Sequence, residues 1–280
     1  MHEYTQYLGF AKSMAARASK IMQKYYDRSD ITSYKDDESI VTIADQAINK
    51  DLINQVRRAF PGHAVDGEEE QFGKGKSRFV WVCDPIDGTF MYAHHIPVAT
   101  FSLALVIDGA PTIGVIYEPF ADNLYYAVKD KGAYLREHAF LQEINPRPKD
   151  KKLSVNDYRL DSRGSEGDFY MWPSAEYNLW PALEELGHKS YFGSIGGAVR
   201  ACACVAGGDF NAVIFPGTKH KNCDVAAAKV IVEEAGGKVT DLFGHEQRYD
   251  RDIKGALITN GVVHDEILKV LAKHISSPKK

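Results

Sequence analysis

A chain of 280 residues can bury a large core, either as one domain at the upper end of the usual size or as two closely packed halves. With 44% hydrophobic and 26% charged residues it has an ordinary globular composition, and a formal net charge of −4 argues against nucleic acid or an anionic membrane surface as partner. No apolar run is long enough to span a bilayer, and the opening Met1-His2-Glu3-Tyr4-Thr5 lacks the basic-then-apolar layout of a signal peptide, so the expectation is a cytoplasmic protein.

From Tyr4 to Tyr26 apolar residues recur at Leu8, Ala11, Ala15, Ala18 and Met22, spacings that place them on one face of a helix. After Ile40-Val41-Thr42, the stretch Ala44–Phe60 predicts a second amphipathic helix (Ala47, Ile48, Leu52, Val56) stopped by Pro61-Gly62. Asp45, near its start, reads by itself as an acid favoured by the helix dipole. Gly67-Glu68-Glu69-Glu70 follows Ala64-Val65; by composition three adjacent acids are a solvated loop.

Phe79 to Cys83 predicts a buried strand that ends on Asp84-Pro85-Ile86-Asp87-Gly88-Thr89. Two carboxylates three apart, held at a strand end by a proline, make a poor turn for stability alone. They make a good cradle for Mg²⁺, which takes oxygen ligands from carboxylates, backbone carbonyls and water. The N–H groups of Gly88 and Thr89, opening a helix or tight turn, would point to where a phosphate could sit. An Asp-Pro/Asp-Gly turn with solvated acids is the competing reading.

Thr100–Ile107, Thr112–Tyr117 and Leu124–Val128, separated by turns at Asp108-Gly109 and Glu118-Pro119, predict a three-stranded antiparallel meander that serves as scaffold. The polar, proline-bearing Asn145–Asp150 divides an N-terminal half (residues 1–145) from a C-terminal half (150–275). In the second half Ser174–Leu186 and Ala198–Ala206 predict helices, and Asn211–Phe215 and Lys238–Thr240 strands, an alternation that suggests an α/β layer. Gly193-Ser194-Ile195-Gly196-Gly197-Ala198 leads into the second of these helices. Its glycines would let backbone approach a ligand and the helix N-terminus would favour an anion, or it is a plain flexible turn. Val225–Ala235 has the spacing of a buried helix capped by Gly236-Gly237. Asp224 at its start is an N-cap or a ligand. Cys83, Cys202, Cys204 and Cys223 form no Cys-x-x-Cys pair and read as reduced structural thiols.

Gly67-Glu68-Glu69, then Asp84–Thr89, then Asn222-Cys223-Asp224-Val225-Ala226-Ala227 with Glu234-Ala235-Gly236-Gly237 resemble, in this order, the signature of the inositol monophosphatase family of Mg²⁺-dependent phosphatases. The resemblance runs from about Tyr7 to about Leu271. It implies a single unit over residues 1–280, a layered α/β/α/β/α sandwich, and hydrolysis of a small phosphate monoester by metal-activated water with no covalent intermediate. Two or three Mg²⁺ ions per site are implied. One would take Glu68, Asp84 and the carbonyl of Ile86, a second Asp84, Asp87 and Asp224. By the same resemblance Asp45, which follows Val41-Thr42, shares with Thr89 the activation of the water. Asp87, Gly88 and Thr89 would hold the phosphate, and Gly196, Gly197 and Ala198 would touch the sugar-like part of the substrate. A homodimer is also implied.

The chain departs from the family pattern in two places. Cys223 replaces the usual aromatic before the last metal aspartate, and Phe215–Lys221 lacks the acid with which inositol-phosphate members bind substrate hydroxyls. This speaks against inositol monophosphate itself and against histidinol phosphate. Lys219 and Lys221 would instead contact a second anionic group, or belong to a solvated basic loop. A 3′(2′),5′-bisphosphate nucleotidase or a fructose-1,6-bisphosphatase is therefore the alternative. A non-catalytic metal-binding relative is the remote one, opposed by the presence of every matched ligand.

Overall fold

Strand periodicity of two and helix periodicity of three to four together build the molecule in layers. A computed structural model describes residues 2–27, 31–34, 40–73, 75, 77–139, 150–159, 169–171, 177–190 and 193–276. The chain opens with α1 (His2–Tyr26), β1 (Ile31–Tyr34), β2 (Ile40–Thr42), α2 (Ile43–Ala59), β3 (Ala64–Gly67), β4 (Gln71–Phe72), β5 (Phe79–Asp87) and the short α3 (Thr89–Ala93). It continues through β6 (Thr100–Ile107), β7 (Ala110–Glu118), β8 (Asn123–Val128), β9 (Ala133–Arg136), β10 (Lys151–Lys152) and β11 (Phe169–Met171). The remainder is α4 (Trp180–Gly187), α5 (Ala198–Gly207), β12 (Ala212–Phe215), α6 (Asn222–Glu234), β13 (Lys238–Thr240), β14 (Ala256–Thr259) and α7 (His264–His274).

Eight strands form one sheet in the order β10-β9-β8-β7-β6-β5-β3-β4, antiparallel except where β3 runs parallel to β5. Four more form a second sheet, β11-β12-β14-β13. Alternate residues of β5 divide between two cores. Trp81 and Cys83 pack with Phe101, Leu103 and Leu105 under α1 and α2, through Ala11, Met14, Ala18, Ile48, Leu52 and Val56. Val80 and Val82 face the other way, towards Val199, Cys202 and Val205 of α5 and Ala227 and Ile231 of α6, which also meet Val213 and Ile258 of the small sheet. The outer face of the small sheet, Ala212, Ile214 and Leu257, is covered by α4 and α7. The result is the expected α/β/α/β/α sandwich. Buried between two sheets, α6 is apolar on nearly every side. It lies so close to β7 that a Cβ on Gly114 would stand 2.5 Å from the Ala227 carbonyl.

The predicted meander is present as β6–β7–β8 and extends to β9. Strand β5 does not stop at Cys83 but runs on to Asp87. Its register with β6 steps from Asp84↔Ser102 to Asp87↔Thr100, so β5 carries one extra residue. Pro85, which has no N–H to give a ladder, falls inside this bulge. The expected helix over Ser174–Leu186 begins only at Trp180 and carries Pro181 in its first turn; residues 172–176 lie outside the described residues. So does most of the Asn145–Asp150 boundary, all but Asp150. No helix among the described residues is long and apolar enough to cross a membrane.

Candidate active site

The bulge in β5 turns the carboxyl groups of Asp84 and Asp87 into the space beside the N-termini of α5 and α6. Both are buried, as is Asp224 in the first turn of α6. Helix α6 begins at Asn222, three residues before the predicted start, so Asp224 lies inside the first turn and Lys221 occupies the N-cap. Glu68 follows β3, and its backbone N–H donates to the Cys83 carbonyl at 3.0 Å, tying the acidic loop to β5. The Lys221 ammonium joins the two segments, 3.2 Å from Glu68 Oε1 and 3.7 Å from Asp224 Oδ2.

The electrostatics report the same convergence. Burial first, then Glu68, Asp224 and Asp87, push Asp84 well above the usual carboxylate range, with Lys221 opposing. Burial also raises Asp224, against the pull of Lys221 and with Glu68 adding to it; its side chain is in hydrogen-bonding contact with Asp84. Asp84 Oδ1 accepts the Ile86 N–H at 2.9 Å, which locks the bulge.

Asp87 is raised to about 7 by burial and by Asp224. It accepts three hydrogen bonds: Thr100 Oγ1 at 3.1 Å, Ala198 N–H at 3.1 Å and Val199 N–H at 3.0 Å. The anion at the N-terminus of α5 is therefore the Asp87 carboxylate, and the Ala198 N–H is engaged there. Gly197 allows this approach, since a Cβ at that position would lie 2.3 Å from Asp87 Oδ2. Gly196, at φ +95°, presents its carbonyl to Gly88, at φ +80°, whose added Cβ would meet it at 3.0 Å. The glycine segment before α5 and the Gly88-Thr89 turn thus touch.

Thr89 opens α3, and its Oγ1 stands 2.8 Å from the Ile86 carbonyl and 3.5 Å from Asp45 Oδ1. Asp45 is fully buried in the first turn of α2. Its Oδ2 accepts the Thr42 N–H at 2.8 Å and the Thr42 hydroxyl at 2.5 Å, and its own N–H donates back to Thr42 Oγ1 at 3.5 Å, which completes a reciprocal capping box. Burial, only partly offset by these bonds, raises Asp45 to about 7.

Several supports had no signal in the residue pattern. Asn49 of α2 donates to the Glu70 carbonyl at 3.0 Å and accepts the Glu69 N–H at 3.4 Å, holding the acidic loop. Asn222 bridges Asp66 Oδ2 at 3.0 Å and the Tyr249 carbonyl at 2.9 Å, and the Ser102 hydroxyl reaches the Cys223 carbonyl at 3.2 Å. At the far end of α6, Glu234 accepts the N–H groups of Asp130, Lys131 and Gly132 at 2.6, 3.1 and 2.7 Å. The Cys223 thiol, kept protonated by burial, lies 3.3 Å from Asp224 Oδ1. Lys219 is exposed, whereas Lys221 is turned onto the carboxylates. The four cysteines are free.

This donor set suits a hard divalent cation: four carboxylates and the Ile86 carbonyl, all oxygen, with three of the acids buried against one another's charge. Among the described residues no three His, Cys, Asp or Glu side chains close around a single point. Lys221 stands between Glu68 and Asp224 instead.

A profile of the inositol monophosphatase family matches residues 3–276. The chain is 28% identical over 268 residues to the fructose-1,6-bisphosphatase/inositol-1-monophosphatase of Thermotoga maritima, covering 94% of this chain and 95% of the relative. The structure of an inositol monophosphatase from Anabaena (Nostoc) sp. PCC 7120 superposes with a TM-score of 0.77 at 28% identity, covering 98% of both chains. A third relative, SaIMPase-II, has been solved with inositol monophosphate bound (25% identity, TM-score 0.77, 98% of this chain and 95% of that one). The same protein has been solved with 2′-AMP bound (26% identity, TM-score 0.77, 98% and 96%).

Proposed function

The chain belongs to the inositol monophosphatase family and is a phosphoric monoester hydrolase for small phosphate esters; from that premise we propose that it works through a Mg²⁺ centre built on Glu68, Asp84, Asp87 and Asp224. The observation that carries this reading is the convergence of these carboxylates from three separate segments beside the Thr89–Asp45 pair.

Glu68, Asp84 and the Ile86 carbonyl would hold one ion and Asp84, Asp87 and Asp224 a second, with Asp84 shared. When bound, two or three Mg²⁺ ions supply the positive charge that lowers the pKa of the attacking water and neutralises the leaving oxygen. The residues of the chain do the positioning. Thr89 Oγ1 orients the water with one lone pair while its proton turns from the Ile86 carbonyl to Asp45 Oδ1. Asp45, raised to about 7, is poised to take and return a proton near neutral pH. The N–H groups of Gly88 and Thr89 would receive phosphoryl oxygens, with Asp87 fixing the metal side of the phosphate. Gly196 and Gly197 would line the part that accepts the alcohol, and Ala198 acts by holding Asp87.

For substrate, the exposed Lys219 favours an ester bearing a second anionic group, a sugar bisphosphate or a phosphorylated nucleotide. One similar protein supports a bisphosphate, being named for both fructose-1,6-bisphosphate and inositol-1-phosphate, while SaIMPase-II has been solved with two monophosphates, inositol monophosphate and 2′-AMP, bound. A cytoplasmic homodimer completes the proposal, and light scattering tests its oligomeric part.

The deciding experiment is phosphate release with Mg²⁺ over inositol-1-phosphate, fructose-1,6-bisphosphate, adenosine 3′,5′-bisphosphate, histidinol phosphate and glycerol-2-phosphate. Asp84→Asn is the control; it should abolish release while the far-UV circular dichroism stays unchanged. Turnover retained by Asp84→Asn would sink the mechanism. Best activity on inositol-1-phosphate would refute the role given to Lys219.

A further inference from the structure

Lys221 caps α6 from a backbone position, so its long side chain is not spent on the helix end and no side-chain cap bond is made there. Instead it runs inward, its side chain 29% exposed, and sets its ammonium between an oxygen of Glu68 and an oxygen of Asp224. These two acids come from opposite sides of the site, one behind β3 and one on α6, and in the proposed centre they serve different ions. Arg200, in the first turn of α5, is engaged elsewhere, with Glu118 at 2.9 Å.

We propose that the Lys221 ammonium is a built-in counter-ion of the carboxylate cluster, which divalent metal must displace, so that this one side chain sets the metal affinity of the centre. The inference rests on the metal-centre reading and deepens it. A monovalent ammonium and a divalent ion contest the same carboxylate oxygens, and both cannot stand against Glu68 and Asp224 in this arrangement. Without metal, Lys221 relieves part of the repulsion among the buried acids. With metal, it must leave, and the cost of separating it from two carboxylates is subtracted from the binding of the ion.

The test is binding of Mn²⁺ to the full chain by equilibrium dialysis, in wild type, Lys221→Met and Lys221→Arg, with thermal melting of each with and without Mn²⁺. Lys221→Met keeps the length and removes the charge; Lys221→Gln takes its place should that variant not fold. The charge-free variant should bind Mn²⁺ about tenfold tighter or more, as removal of a competing unit charge at contact distance requires. Lys221→Arg should stay within about threefold of wild type by the same reasoning. Without metal, Lys221→Met should melt below wild type, and saturating Mn²⁺ should erase or reverse the difference. Equal or weaker binding by Lys221→Met overturns the proposal while leaving the metal centre standing. Equal tightening in both Met and Arg variants also overturns it, because shape rather than charge would then be responsible. Absence of Mn²⁺ binding to both wild type and Lys221→Met at millimolar concentration would overturn the metal centre and this inference together.

Discussion

Replacing Asp45 by asparagine should make the metal-free protein more stable above neutral pH and at the same time nearly inactive. The carboxyl is fully buried and raised from 3.8 to about 7 in the folded chain, with burial the leading cause. Below about pH 4 it is protonated in both folded and unfolded states and contributes no difference. Between about pH 4 and 7 the unfolded chain ionises it and the folded chain does not, so stability falls as pH rises. Above about 7 the full penalty is in place, three pKa units or about 4 kcal/mol. An asparagine there carries no such penalty. Its Oδ1 can accept the Thr42 bonds, and its Nδ2 can donate to Thr89 Oγ1, so the capping box survives in part. What it cannot do is accept the Thr89 proton, and loss of a positioned base costs about 10²–10⁴ in rate. Chemical denaturation from pH 5 to pH 8.5 without metal, paired with kcat on the preferred ester, measures both. The wild type should lose about 2.7 kcal/mol more than Asp45→Asn across that range, the two pKa units between pH 5 and about 7. Activity within a few-fold of wild type, or parallel stability profiles for the two proteins, would refute the reasoning.

Gly197→Ala is tolerated by its extended backbone (φ −154°) but places a methyl group 2.3 Å from Asp87 Oδ2. Displacing Asp87 breaks the Ala198 and Val199 bonds, so kcat/KM should fall at least about 100-fold, in the range lost when catalytic groups are misplaced. Near-wild-type kinetics would show that Asp87 is not held from α5. Glu234→Ala strips three backbone N–H groups of a charged acceptor, which should cost about 2–3 kcal/mol and roughly 4–8 °C in melting temperature, with kcat little changed. A melting temperature within a degree of wild type would rule that anchor out. Lys219→Ala should raise KM for esters carrying a second phosphate and leave monophosphates unaffected; an unchanged KM for every substrate would make the loop a solvated basic turn.

The layered fold was legible because each layer has its own period. Trp81/Cys83 against Val80/Val82 is an alternation any apolar run permits, and the helix stripes of α1 and α2 supply the matching face. Asp45 carried its own local signal, since Thr42 three residues earlier completes a capping box. What stayed hidden depended on neighbours distant in sequence or on where an element begins. The acceptor role of Asp87 towards Ala198 and Val199 spans more than a hundred residues and has no trace in either segment. The direction of Lys221 turns on the first residue of α6. With the helix starting at Val225 the lysine belongs to a loop and faces solvent; starting at Asn222 it becomes the cap and its side chain falls back onto Asp224. The bulge that carries β5 on to Asp87 was concealed by Pro85, which by rule ends a strand and here sits where the ladder skips.

The placement of the acids also explains why so costly a cluster is compatible with a stable fold. Glu68, Asp84 and Asp87 belong to one end of the large sheet, while Asp224 belongs to the helix that the large and small sheets share. An ion ligated by both groups would join the two sheets through α6, and its binding free energy would add to that of the fold, by about 2.7 kcal/mol at a hundredfold excess over its dissociation constant. The opposite end of α6 is fastened by Glu234 to the turn after β8, so the helix cannot slide away from the repulsion at its N-terminus. The close contact of Gly114 with Ala227 fixes its middle. Repulsion among the acids is therefore borne by a helix held at two other points, and it is released when positive charge arrives, whether from Lys221 or from metal. A site that is destabilising by itself is in this way kept in geometry by the rest of the sandwich, and the carboxylates can stay close enough together to serve a phosphate dianion.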